Sequence, residues 1–230
     1  MFNLILAESA LELVPSAILG YPSVVKHAQR KGKKPDEILL DRSYHHSAMI
    51  KLKNASKRGR PDIVHFSLLE ALGSPLNKAG LLRTYVHTIN DYLIVINPEI
   101  RPPRNYDRFV GLIEQLYQAG KIPEKGDVLL ELHKGSLGSL VKNIDSDYVV
   151  VLTRLGKPKT MDEVAFSIRE KKSPVIIVGG FPHGHFSNSV IDLADELISV
   201  DKAPLEAWTV VSRIIYEIEN KIGLCKERLE

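Results

Sequence analysis

Val175-Ile176-Ile177-Val178-Gly179-Gly180-Phe181-Pro182-His183-Gly184-His185 is the stretch on which the architecture turns. Four β-branched residues followed by glycine read as a buried strand running into a tight loop. Glycine there lets the backbone approach a ligand closely or take a positive φ. The loop has no Lys-Ser/Thr pair and does not fit G-x-G-x-x-G, which disfavours a nucleotide-phosphate site. By itself a Gly-Gly-x-x-x-Gly loop is more often a plain turn.

Two neighbouring segments repeat the arrangement. A predicted strand over residues 148–153 runs into Arg154-Leu155-Gly156. Another over 196–200 runs into Asp201-Lys202-Ala203-Pro204-Leu205. In open α/β sheets, ligands lie beyond the carboxyl ends of strands. Three such loops could line one pocket with main-chain groups and apolar walls, which suits an adenosine-containing ligand. Further strands are predicted over 3–7, 37–40, 82–87, 92–96 and 128–132. Short apolar runs alternating with helical patterns define an α/β fold class, expected here as one compact domain over residues 1–230. The N-terminal run 2–7 reads as an edge or core strand, not a signal peptide.

Helices are placed by their end signals. Asn105 is an N-cap for a helix to about Gln118, with Gly120 beyond its end and Phe109, Leu112, Ile113 and Leu116 on one face. A second helix starts at Pro61 and stops before Gly73. A third is expected from about Pro204 to Leu224.

The net charge of +3 hides an asymmetry: residues 1–110 hold 16 Lys and Arg against 10 Asp and Glu, while the remainder holds 15 against 18. Basic residues cluster over 26–34, 51–60 and 101–108, so a basic extension around 26–60 is expected to meet a polyanion. Arg60 and Arg104 lie just outside two helix starts. Arg108 sits in a first turn, where a cation opposes the helix dipole at a cost of about 0.3–1 kcal/mol. A phosphate drawn to the same free N–H groups gives these positions a physical reason. Arg58, Arg60, Arg101, Arg104 and Arg108 are therefore read as an RNA-contacting surface.

Several chemistries are disfavoured. Cys225 is the only cysteine, so intramolecular disulfides and cysteine-based zinc sites are excluded and a reducing, cytoplasmic setting is expected. No acidic residue near His183 and His185 completes a metal set, and there is no Gly-x-Ser-x-Gly elbow. The longest apolar runs are too short to span a bilayer.

Arg60-Pro61-Asp62-Ile63, the run Ser74 to Gly80, Tyr85-Val86-His87-Thr88, Ile96-Asn97-Pro98, Arg101-Pro102-Pro103-Arg104 with Asp107-Arg108-Phe109, and Val178 to Gly184 occur in one order. In these blocks the chain resembles the ribosome-biogenesis pseudouridine methyltransferases of the SPOUT (α/β-knot) superfamily, in compact archaeal form. The resemblance implies a Rossmann-like sheet with a C-terminal trefoil knot, a homodimer, and S-adenosyl-L-methionine bent in the knot. It implies methylation of N1 of a pseudouridine in small-subunit ribosomal RNA, with S-adenosylhomocysteine as product and no metal. RNA contacts carry over to Arg60, Arg101, Arg104 and Arg108, and an orienting role toward Arg60 carries over to Asp62. Cofactor contacts carry over to Gly179, Gly184, Val200, Asp201, Lys202, Ala203, Pro204 and Leu205, although Val200 to Ala203 depart from the usual residues. Were the Arg60–Asp62 pair buried, Asp62→Gly would cost roughly 3–5 kcal/mol. A non-catalytic RNA-binding assembly factor is the rival reading; it keeps the arginines and has no need of the glycine loop.

Overall fold

The aliphatic stretch forms β7 (Pro174–Gly179), at the heart of an eight-stranded sheet ordered β4-β5-β3-β2-β1-β7-β6-β8. The computed structural model describes residues 1–229. The other strands are β1 (Phe2–Ser9), β2 (Leu82–Thr88), β3 (Tyr92–Ile96), β4 (Lys121–Ile122), β5 (Leu130–Lys134), β6 (Tyr148–Pro158) and β8 (Glu196–Ser199). From β2 through β1, β7 and β6 to β8 the pairing is parallel; β3, β5 and β4 extend the sheet antiparallel. β1 is thus an interior strand.

Period-2 alternation explains why these runs are apolar throughout. Leu4, Leu6, Val150, Ile176 and Val178 enter one core, while Ile5, Ala7, Val149, Val151, Val175 and Ile177 enter another on the opposite face. The helices are α1 (Pro22–Lys31), α2 (Arg42–Met49), α3 (Pro61–Gly73), α4 (Pro75–Lys78) and α5 (Tyr106–Ala119). They continue with α6 (Leu137–Ile144), α7 (Met161–Ile168), α8 (Asn188–Ile191), α9 (Ala207–Lys221) and α10 (Leu224–Glu227). α3, α5, α7 and α9 cover the first face, and α6 and α8 the second.

The end signals of α3 and α5 act as expected. Pro61 opens α3, the Asn105 carboxamide accepts the Arg108 N–H at 3.0 Å, and Gly120 closes α5 in the left-handed region. Helix α9 begins at Ala207, three residues later than predicted, because the chain at Glu206 is still extended. The strand expected over 37–40 does not form. Ile38, Leu39 and Leu40 are buried, but only Leu39 makes a bridge, antiparallel to Leu13; Ile38 and Leu40 fill a small separate core while Leu39 packs into the main one. The strand expected from 128 starts at Leu130, and β6 runs on to Pro158 instead of stopping at 153.

That extra length of β6 has a topological consequence. Leu152 and Lys157 both pair with Ile198 of β8, with the register broken between them. At Gly156 the backbone lies against the Leu197–Ile198 peptide; a Cβ there would sit 2.3 Å from the Ile198 nitrogen. Only glycine fits so close to main chain. Gly156→Ala is expected to destabilise the protein by about 1–3 kcal/mol through overpacking, read as a lowered urea midpoint with unchanged m-value. A midpoint equal to wild type would show that β6 does not need this contact.

Between β1 and α3 lies an extension with its own core of Val14, Ile18, Val24, Ala28, Ile38, Leu40, Ala48 and Met49. Buried carboxylates fasten it to the sheet. Glu114 of α5 accepts from Lys31, from Lys33 at 2.7 Å and from the Leu39 N–H at 3.0 Å. Glu12 accepts from Arg58, Glu8 from Lys57, and Asp41 from the Tyr106 hydroxyl at 2.6 Å. Lys31, Lys33, Lys57 and Arg58, which contribute to the basic character of the extension, are thereby structural.

Candidate functional site

A cleft of about 270 Å³ opens beyond the carboxyl ends of β7 and β8 and beside the register break in the middle of β6. Its walls come from Leu152 to Arg154, from the glycine loop Val178 to Phe186, and from Ser199 to Ala207, with Ile63 of α3 and Val210 of α9 closing it. Gly179, Gly184, Val200, Asp201, Ala203, Pro204 and Leu205 all line it, whereas Lys202 is exposed and does not. Ile63, Phe186, Glu206 and Val210 were not anticipated. Of these, only Ile63 carried a sequence signal, through its place beside Asp62.

The glycine loop is held by β1. Gly180 donates to the Ala7 carbonyl at 2.9 Å and accepts from Ala10 at 2.8 Å. A Cβ on Gly180 would meet the Ser9 hydroxyl at 2.1 Å, so close strand contact explains this residue. Glu8, in the left-handed region at φ 49°, accepts the Ser187 N–H at 3.0 Å as well as the Lys57 ammonium. Burial raises the Glu8 pKa, yet Lys57 and Ser187 outweigh it and hold the carboxyl below its ordinary value. The Lys57 ammonium also lies 4.1 Å from the Phe181 ring centroid. A basic side chain of the extension therefore braces the loop that walls the cleft.

The arginines divide. Arg58 donates from Nε and Nη2 to the two Glu12 oxygens, each at 2.7 Å, with only 13% of its side chain exposed. This corrects its reading as an RNA-facing residue: its donors are taken by protein. Arg60 makes the bidentate pair with Asp62, Nε to Oδ1 at 2.8 Å and Nη2 to Oδ2 at 2.7 Å. The side chains are 34% and 28% exposed, so water would solvate Arg60 if Asp62 were lost. The 3–5 kcal/mol penalty of a fully buried pair does not apply. Arg60 is the N-cap of α3, three residues before Ile63, which lines the cleft. Arg101, Arg104 and Arg108 are exposed around the start of α5. His65 of α3 joins the two groups: its Nε2 lies 2.7 Å from the Pro103 carbonyl and its ring stacks on Phe109 at 4.4 Å.

The donor set of the cleft suits S-adenosylmethionine. Ile63, Leu152, Val178, Leu205 and Val210 offer apolar walls to a purine and to the methylene groups beside a sulfonium. The N–H groups of Gly184 and Leu205, two residues that line the cleft, have no protein partner among the described residues. Glu206, Asp201 and Arg154 supply charges of both signs. Among the described residues no group of three or more His, Cys, Asp or Glu side chains could hold a metal ion. Among the described residues no helix is long and apolar enough to cross a membrane.

A mixed sheet with this cleft at the carboxyl ends of its parallel strands, beside arginines at two helix starts, places the chain among α/β proteins that hold a ligand at their strand ends. More narrowly, the chain belongs to the EMG1/NEP1 methyltransferase family, which it matches over residues 4–219. It is 48% identical over 220 residues to the ribosomal RNA small subunit methyltransferase Nep1 of Thermococcus onnurineus (strain NA1), covering 96% of this chain and 99% of that one. Against the Nep1 of Staphylothermus marinus it is 46% identical, covering 95% of each. The crystal structure of Archaeoglobus fulgidus Nep1 bound to S-adenosylhomocysteine superposes with a TM-score of 0.85 at 35% identity, covering 96% of this chain and 98% of that one.

Proposed function

We propose that the chain transfers a methyl group from S-adenosyl-L-methionine to N1 of a pseudouridine in small-subunit ribosomal RNA, releasing S-adenosylhomocysteine. The observation that carries this reading is the cleft between β6, β7 and β8, lined by Ile63 of α3, the helix whose N-cap is Arg60. The names of the similar proteins support the RNA substrate, and the bound product of the A. fulgidus enzyme supports the cofactor.

S-adenosylmethionine supplies a methyl already activated on a sulfonium, so no covalent enzyme intermediate is needed. The residues of the chain then have two tasks. Main-chain groups and apolar walls of the cleft hold the cofactor in a fixed pose, and arginines hold an unstacked base so that N1 meets the methyl in line. N1 loses its proton to solvent as the N–C bond forms. Arg60, kept in one rotamer by Asp62, stands where it can offset negative charge on the base carbonyls. Arg101, Arg104 and Arg108 bind the phosphates on either side. The Lys57–Glu8–Ser187 network keeps the glycine loop in place while RNA rests on the extension.

The pairing of both Leu152 and Lys157 with Ile198, and the close approach of Gly156 to the Leu197–Ile198 peptide, support a knotted cofactor site. A homodimer is supported by an aromatic patch on α3 and α9. Exposed Phe66 meets Trp208 edge-on at 5.3 Å, and exposed Tyr216 lies two turns further along α9. We read residues 1–230 as one domain of this type with its basic extension around 26–60, acting in the cytoplasm.

The deciding experiment is transfer of labelled methyl to a hairpin RNA with pseudouridine in its loop, beside the uridine hairpin. Uridine N1 is bonded to ribose and cannot accept a methyl, so product should form with the first RNA alone. Equal labelling of both would refute the N1 assignment; calorimetry showing no S-adenosylmethionine binding would favour an assembly factor. Arg104→Ala and Arg108→Ala should each weaken RNA binding and reduce the salt slope by roughly 0.7–0.9. An unaltered slope would mean that these side chains do not contact phosphate.

A further inference from the structure

A second cavity, of about 350 Å³, lies where the extension meets α5, and it shares no residue with the cofactor cleft. We propose that it is a subsite for one unpaired nucleobase of the RNA, other than the methylated one. This rests on the RNA reading above and adds a second point of recognition to it.

The walls have the chemistry a single base requires. Tyr44 of α2 is 45% exposed, and its ring is backed by the His27 imidazole, stacked at 4.1 Å with 23° between planes. Tyr106 provides another aromatic wall, fixed by its hydroxyl donating to Asp41 at 2.6 Å. Leu39 and Val110 add apolar surface. Unstacked bases are held on aromatic faces in this way.

The aromatic wall is preset by a chain of hydrogen bonds. The Asp41 N–H donates to His45 Nδ1 at 3.0 Å, so the neutral His45 ring carries its proton on Nε2 and donates to His27 Nδ1 at 2.9 Å. His27 therefore keeps its plane against Tyr44 without help from a ligand.

The polar groups at the site match a nucleotide. Arg30 is exposed and pairs with no carboxylate among the described residues, which leaves a guanidinium for a phosphate. Lys31, by contrast, is already bound to Glu114. Asp107 can accept from an exocyclic amine or imino N–H. Asp107 also precedes Arg108, so the cavity is continuous with the arginine-bearing start of α5. An RNA running along those arginines would reach the cavity without leaving the basic face.

The test uses a hairpin RNA with one pseudouridine in its loop and a set of copies with a single abasic nucleotide at each other loop position. With wild-type protein, one abasic position should weaken binding by about fivefold to a hundredfold, the range for loss of one stacked base. Tyr44→Ala should weaken binding of the intact hairpin equally and lose nothing more with that abasic copy. Tyr44→Phe should restore affinity, and S-adenosylmethionine affinity should stay unchanged throughout. Arg30→Ala should lower the salt slope by roughly 0.7–0.9. No sensitive abasic position in wild type, or a Tyr44→Ala loss that adds in full to every abasic loss, overturns the subsite alone. Wild-type protein that fails to bind the intact hairpin overturns the RNA reading and the subsite with it.

Discussion

Glu12→Ala is expected to destabilise the protein by about 3–5 kcal/mol, the usual cost of leaving one member of a buried ion pair alone. Glu12 is 1% exposed and binds Arg58 through both oxygens at 2.7 Å, with Asn90 donating a further bond at 2.8 Å. An arginine guanidinium does not lose its proton inside a protein, so Arg58 keeps its charge when Glu12 is removed. With 13% of its side chain exposed, water offsets only part of that lost pairing. Removing Arg58 as well relieves the stranded charge, so the double variant should be less destabilised than the two single losses added together. Urea denaturation of the four proteins measures this coupling. The same pair tests the division of the arginines: Arg58→Ala, where folded, should leave the salt slope of RNA binding unchanged. A Glu12→Ala protein as stable as wild type, with a reduced slope in Arg58→Ala, would return Arg58 to the RNA surface.

The second large effect is acid loss of stability through His45. Burial, and then the neighbouring His27, push the His45 pKa down to about 4, against partial support from Asp41. Nδ1 accepts the Asp41 N–H, so a proton there would break that bond. In the unfolded chain the imidazole takes up a proton near 6.5, whereas in the folded protein it stays neutral until about pH 4. Between these values the unfolded state binds more protons, so stability is full above pH 6.5 and falls as pH falls. His45 is fully buried, and the shift corresponds to about 3 kcal/mol lost across that window. His27, also lowered by burial and by Lys31, adds in the same direction. The Glu8 and Glu114 carboxyls, held below their ordinary values, contribute only at still lower pH. Urea midpoints from pH 7.5 to 4.5 should fall for wild type and much less for His45→Gln. Parallel curves for the two proteins would refute the assignment.

Elements marked by local signals were legible in the sequence. Val175 to Val178 form a strand in almost any α/β context, and Asn105, Gly120 and Pro61 set helix ends through contacts within a turn of themselves. The gathering of the loops after β7 and β8 at one cleft followed from parallel topology, whereas residues 154–156, expected as a third loop, continue β6. Residues 37–40 misled because an apolar run looks alike whether it pairs in a sheet or fills a small core.

Charge shows where the local signals end. The sequence alone determined that the first half of the chain is basic and that arginines stand at two helix starts. Which cations are free was decided only by tertiary structure, since Lys31 and Lys33 find Glu114 across 83 and 81 residues and Arg58 finds Glu12 across 46. The close approach of β6 to β8 is likewise invisible locally: Gly156 reads as an ordinary loop glycine until the peptide of Ile198 is laid against it. Strand, helix and cap come from neighbours within a few bonds, whereas ion pairing and close strand approach depend on which distant segments the packed core brings together.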